Sequence, residues 1–203
     1  LKSAGYTTGV AGKWQLNDFR THPEAMVKHG FDDYCMWTGA EGSEIEGHPA
    51  LSEKRYWDPY IHTKEGSKTH KGKFGPDIYN DFVLNFISNN KDKPFFIYYP
   101  MALTHTPMVH TPLSPNAKTK LQKHHAMVEY TDFLLGKIIT KLDEEKIREN
   151  TIVIWTCDNG TSGRFSNMRN GRKVKGGKTK TTENGVNTPF IVSCPGLVPS
   201  GMK

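Results

Sequence analysis

Apolar and polar positions follow two periods along this chain. A three-to-four spacing, which lines one face of a helix, occurs twice. Between Asp77 and Asn90 it gathers Ile78, Phe82, Phe86 and Ile87 on one face, with Pro76 near the start. Between Lys118 and Lys146 it makes one stripe of Met127, Tyr130, Leu134, Ile138 and Leu142. Short continuous apolar runs predict strands. These are Tyr6 to Ala11, ending at Gly12, and Pro94 to Tyr99, stopped by Pro100. Two more are Thr151 to Cys157, β-branched like a central strand, and Phe190 to Ser193, closed by Pro195-Gly196. Leu1 to Gly5 reads as the last turn of a helix with its glycine stop. Thr21 to Thr69 mixes His, Gly, Pro and charge and predicts mostly loop with short elements. An irregular stretch of that length in a compact domain is a candidate functional region.

Helices alternating with apolar strands predict an α/β fold with a mixed, largely parallel sheet flanked by helices. Ligands of such sheets sit off the carboxyl ends of the strands. Lys13, His105 and Asp158-Asn159 each follow a predicted strand. Topology alone therefore assigns them to one rim.

Composition narrows the class. The chain has 203 residues, 35% hydrophobic and 24% charged, which suits one ordinary globular domain. No apolar run approaches the ~20 residues of a membrane span. Cys35, Cys157 and Cys194 are too few and too scattered for a disulfide framework or a zinc site. They read as small hydrophobes, partly buried.

The net charge of +6 is concentrated in one place. Between Asp158 and Glu183 there is no acidic residue, while Arg164, Arg169, Arg172, Lys173, Lys175, Lys178 and Lys180 all fall there. A single basic segment among glycines suits a small anion at least as well as a polyanion, and most of it reads as a solvated loop. Nucleic acid is therefore not an expected partner.

Candidate chemistry sits at the strand ends. Asp158 and Asn159 offer a carboxylate and an amide oxygen side by side, which are donors for hard cations such as Ca²⁺ or Mg²⁺. Two donors fall short of the ~6–8 that Ca²⁺ takes. Asp-Asn-Gly is equally a common turn. Lys13, Lys178 after Gly176-Gly177, and His105 before Thr106-Pro107 can contact an oxyanion. The sequon Asn159-Gly160-Thr161 is poorly placed for a glycan at a strand end.

Several segments together resemble the type I sulfatases. They are Gly5 to Trp14, Gly30-Phe31-Asp32, Pro94-Phe95-Phe96 with His105-Thr106-Pro107, Asp158-Asn159-Gly160, and Gly176-Gly177-Lys178 with Glu183 to Val186 and Pro189-Phe190. Their order and approximate spacing are the family's, over nearly the whole chain. The resemblance implies an alkaline-phosphatase-like fold and hydrolysis of sulfate esters, such as those of sulfated carbohydrates. It implies a formylglycine nucleophile and a bound Ca²⁺, with Mg²⁺ as the alternative metal. Asp158 and Asn159 are similar to two of the family's metal ligands. Lys13, His105 and Lys178 are similar to its catalytic and sulfate-binding residues, and Gln15 to a further substrate contact. The resemblance also implies an extracytoplasmic location.

Two departures stand out. Many sulfatases read Gly-Lys-Trp-His where this chain has Gly12-Lys13-Trp14-Gln15, and glutamine cannot shuttle a proton at neutral pH. No Cys or Ser here fits the C/S-x-P/A-x-R motif from which formylglycine is made. The expectation is therefore one partial catalytic domain over residues 1–203. The nucleophile strand would precede Leu1, a C-terminal subdomain would lie outside the chain, and the piece alone would be inactive. Alternatives are a phosphodiesterase or phosphonate hydrolase of the same superfamily, or a non-catalytic anion-binding module.

Overall fold

The computed structural model describes residues 1–37 and 55–201. They form two compact units, Leu1–Glu145 and Lys146 onward, and each is described by itself.

The first unit is built on a five-stranded mixed sheet. Its strands are β1 (Thr7–Lys13), β2 (Asp33–Trp37), β3 (Tyr60–Thr63), β4 (Gly66–Thr69) and β5 (Phe95–Tyr98), in the order β4-β3-β2-β1-β5. β2, β1 and β5 run parallel, and β3 and β4 add as an antiparallel hairpin. β1 is buried on both faces, with Val10 and Ala11 fully enclosed. One face is covered by helix α2 (Gly75–Asn90). It lies so close to β1 that a Cβ on Gly9 would stand 2.9 Å from the Phe86 ring. On the opposite face Val10 packs with Trp14, Phe19, Tyr34, Met36 and, from helix α1 (Ala25–Lys28), Ala25 and Met26.

Helix α3 (Lys120–Glu144) starts at a reciprocal capping box, in which the Thr119 hydroxyl accepts from the Gln122 amide and Gln122 returns the bond. Met127, Tyr130, Leu134 and Leu142 of its predicted stripe are buried, and Ile138 is half-buried. Asn80 of α2 donates to the Leu134 carbonyl at 3.1 Å, which fixes the two helices in register.

Several sequence expectations shift. The apolar face of α2 runs through Tyr79, Val83, Phe86 and Ile87, while Ile78 and Phe82 are only half-buried. Phe86, which belongs to both the predicted and the observed face, packs over Gly9. The apolar run Pro94 to Tyr99 reads as a buried strand, yet it is not fully buried. β5 is the last strand in its sheet, and Phe96 and Tyr98 are 39% and 50% exposed on the face away from α2. The stretch from Thr21 to Thr69 holds α1, β2, β3 and β4, so its described part is more ordered than its composition suggested. Residues 38–54 of it lie outside the described residues.

The second unit contains β6 (Val153–Thr156) and β9 (Phe190–Ser193), paired antiparallel, a β7–β8 hairpin (Ser166–Arg169 and Arg172–Lys175), and the short helix α4 (Glu183–Val186). β6 was expected to be a central strand. Among the described residues it pairs with β9 alone, and its Ile154 is largely exposed. The β-branched run reports strand propensity, and pairing rank is set by neighbours.

His62 on β3 shows how burial couples this fold to pH. Its ring stacks on Phe19 at 4.3 Å, Nε2 donates to the Pro23 carbonyl at 3.0 Å, and Nδ1 accepts from the Ser67 hydroxyl at 2.7 Å. Burial lowers its pKa, and burial does the same at His70 and His124. The unfolded chain therefore binds protons that the folded state refuses. The stability tied to these neutral rings is full above the ordinary histidine value near ~6.5 and is lost as pH falls through and below it. The denaturant midpoint of the whole protein is expected to drop between about pH 7.5 and about pH 5.5. A flat or rising midpoint over that window would contradict the assignment.

Candidate active site

In the first unit, the ends of β1 and β5 put two loops side by side, because the strands are adjacent and parallel. The contact is made backbone to backbone. Lys13 N–H donates to the Pro100 carbonyl at 2.7 Å, and a Cβ on Gly12 would stand 2.3 Å from that same oxygen. Gly12 also sits at φ +112°, a conformation that L side chains rarely adopt. Both features require glycine directly before Lys13. Trp14 is buried and its N–H bonds to the Trp37 carbonyl at 3.1 Å, so the chain turns outward here. Lys13 is half-buried and Gln15 is exposed.

His105 lies on the loop after β5, with its ring exposed. The Nδ1 atom is occupied, lying 2.9 Å from the Thr106 carbonyl and 3.2 Å from Arg55 Nη1. The hydrogen bonds of the His105 ring among the described residues all fall on Nδ1. The loop is held from beneath by Tyr56, a buried residue whose hydroxyl lies 2.7 Å from the Ala102 carbonyl and 2.6 Å from that of His105. Arg55 is steadied by its guanidinium lying 4.1 Å from the centre of the Trp37 ring. Neither Arg55 nor Tyr56 was flagged in the sequence. They precede His105 by about fifty positions in no recognisable motif, and only the folded chain brings them to it.

In the second unit, three short loops meet through glycines. Gly160 N–H donates to the Gly185 carbonyl at 2.9 Å, and Lys178 N–H to that of Thr161 at 3.0 Å. Side chains would not fit between them. A Cβ on Gly160 would lie 2.1 Å from the Asn184 carbonyl oxygen, one on Gly176 2.3 Å from that of Ser162, and one on Gly185 2.1 Å from that of Lys180. The sequence-flagged Asp158-Asn159 and Lys178 thus stand on neighbouring loops locked together by backbone bonds.

Asp158 is exposed, and its carboxylate has no ion-pair or hydrogen-bond partner among the described residues. Asn159 donates from Nδ2 to the Gly160 carbonyl at 3.1 Å, which leaves its Oδ1 available. A carboxylate oxygen and an amide oxygen on one turn fit a hard divalent cation. No cluster of three or more His, Cys, Asp or Glu occurs among the described residues, and two donors alone fall short of the ~6–8 that Ca²⁺ takes.

Of the cysteines, Cys35 is buried, its thiol pushed up to about 12 by that burial, and Cys194 is buried with its S–H directed to the Glu149 carbonyl. Cys157 departs from the expectation of burial. It is exposed, because β6 ends there and the chain turns into the Asp158 loop.

A family model described as Sulfatase matches residues 1–203. The chain is 28% identical over its full length to the "Arylsulfatase" of Hemicentrotus pulcherrimus and covers 38% of that protein. It is 30% identical over 99% of its length to the "N-acetylgalactosamine-6-sulfatase" of Mus musculus and covers 40% of it. A crystal structure of Ps i-CgsB in complex with k-i-k-neocarrahexaose superposes with a TM-score of 0.73 at 26% identity, over 97% of this chain and 46% of that one. The chain therefore spans about two-fifths of the length of these curated relatives.

Proposed function

Since the chain belongs to the sulfatase family, we propose that the whole protein hydrolyses sulfate esters of carbohydrates. The observation that carries this reading is the glycine-locked junction seating Lys178 beside Asp158-Asn159. A relative named N-acetylgalactosamine-6-sulfatase and a neighbour solved with a neocarrahexaose favour a sulfated sugar as substrate.

In this reading the nucleophile, a formylglycine on the family's pattern, comes from a part of the protein outside these 203 residues. Asp158 Oδ and Asn159 Oδ1 are two ligands of a divalent cation, Ca²⁺ with Mg²⁺ as the alternative. That cation, when bound, supplies Lewis-acid charge to the sulfate oxygens. On the family's pattern Lys13 and Lys178 are each read as a sulfate contact, whose ammonium group counters the charge that grows as an ester bond breaks. His105 presents Nε2 to the leaving oxygen and hands it a proton, and Arg55 and Tyr56 hold its loop in place. Gln15 hydrogen-bonds the substrate but carries no proton. Family habit puts the protein outside the cytoplasm. Among the described residues no helix is long and apolar enough to cross a membrane.

The test is an assay of the whole protein on para-nitrophenyl sulfate and para-nitrophenyl phosphate. Turnover of the sulfate ester is expected to dominate. Turnover of the phosphate ester alone would overturn the reading in favour of a phosphorus-ester hydrolase. For the metal, Asp158→Ala is expected to weaken cation retention by at least the ~10-fold that losing a mere supporting partner costs. Unchanged calcium content by elemental analysis would remove Asp158 from the ligand set.

A further inference from the structure

The β7–β8 hairpin is left unexplained by the site above. It is closed by Asn170-Gly171, both at positive φ, a two-residue turn that suits hairpins. Its registered pairs are Ser166 with Lys175, Asn167 with Val174, Met168 with Lys173, and Arg169 with Arg172. Two arginines thus stand directly opposite each other beside the turn. Like charges in that position destabilise a hairpin, so folding alone does not account for them. Among the described residues the pair is barely neutralised. Glu183 approaches Arg169 only to 3.9 Å, with side chains 72% and 60% exposed, which is worth little in water. Arg172 has no acidic partner among the described residues. Together Arg169, Asn170, Arg172, Val174, Glu183 and Asn184 line a hollow of about 480 Å³.

From its base the hairpin leads directly into Gly176-Gly177-Lys178. Four residues at ~3.3 Å each put the arginine pair roughly 13 Å out from that base. The hollow reaches back to Asn184, which packs against Gly177, so a sugar chain with one sulfate at Lys178 can extend along the hairpin and bring a further sulfate to the arginines. Guanidinium groups match the paired oxygens of such a group.

We propose that Arg169 and Arg172 form a second anion site that takes a further sulfate on the same carbohydrate chain, which makes polysulfated glycans the preferred substrates. This rests on the sulfatase reading above. Nucleic acid fits less well, because residues 166–175 include no aromatic side chain on which a base could stack.

The whole protein carrying Arg169→Gln and Arg172→Gln is compared with wild type on para-nitrophenyl sulfate and on a heparin-derived hexasaccharide. Binding of the hexasaccharide is also measured by calorimetry. The expected result is a KM and Kd for the hexasaccharide raised about tenfold, with the aryl sulfate parameters unchanged. The difference should shrink in high salt. Neutralising Lys64 and Lys68, two exposed lysines of the β3–β4 region, is expected to leave both substrates unaffected. Equal losses on both substrates, no loss on either, or the same loss from the Lys64/Lys68 control would overturn the proposal. So would single-stranded DNA binding as tightly as the hexasaccharide and losing affinity in parallel. If wild type hydrolyses neither substrate, the sulfatase reading falls, and the calorimetry still decides whether the anion site exists.

Discussion

Lys178→Ala in the whole protein is expected to lower kcat on an aryl sulfate by roughly 10²–10³-fold, the loss typical of one oxyanion donor. The fold gives reason to read that loss as chemistry. What ties Lys178 to its neighbours is its backbone N–H on the Thr161 carbonyl, and alanine keeps that bond. Its side chain is half-buried, with no ion pair among the described residues. Removing it therefore deletes a charge and leaves the junction standing. Lys13→Ala is expected to lose a similar amount, again with the backbone bond to Pro100 intact. Rates within a few-fold of wild type for either single variant would remove that lysine from the machinery.

Gly160→Ala attacks the same site from its frame. The new Cβ would lie 2.1 Å from the Asn184 carbonyl oxygen and 2.9 Å from its carbon. The obstacle is backbone on both sides, so no rotamer relieves it. Either the Asp158-Asn159 turn or α4 must move. Forcing extra volume into such a contact costs about 1–3 kcal/mol, and the displaced turn carries both proposed metal ligands. Activity and cation content are therefore expected to fall further than stability does. Gly136→Ala is the control. This residue lies on α3 with nothing within 4 Å of the new Cβ, and it should stabilise the protein by up to about 1 kcal/mol. A Gly160→Ala protein with normal calcium content and normal turnover would show that the junction tolerates displacement and does not frame the site.

The local elements were largely legible beforehand. α2 and α3 announced themselves by periodicity, and β1, β5, β6 and β9 by short apolar runs. The β7–β8 hairpin was read as plain basic loop, because its strands are polar and carry no apolar alternation. The buried face of α2 was half legible: Phe86 and Ile87 are buried as the periodicity predicted, while Tyr79 and Val83 complete the face in place of Ile78 and Phe82. The candidate residues Lys13, Gln15, His105, Asp158, Asn159 and Lys178 came from motifs, as did family membership, which the match across residues 1–203 established.

By itself, then, the sequence determined the kinds of element and the residues able to carry charge and metal. These are encoded over stretches of ten to twenty positions, where side-chain type and backbone preference act on near neighbours. The tertiary structure alone decided which loops meet. It set Gly12 against Pro100, Gly160 against Asn184, and Arg55 and Tyr56 against the His105 loop. Those contacts join positions as many as 88 residues apart, from Gly12 to Pro100, and they form only when packing closes the intervening chain and, at the glycine crossings, excludes any larger side chain.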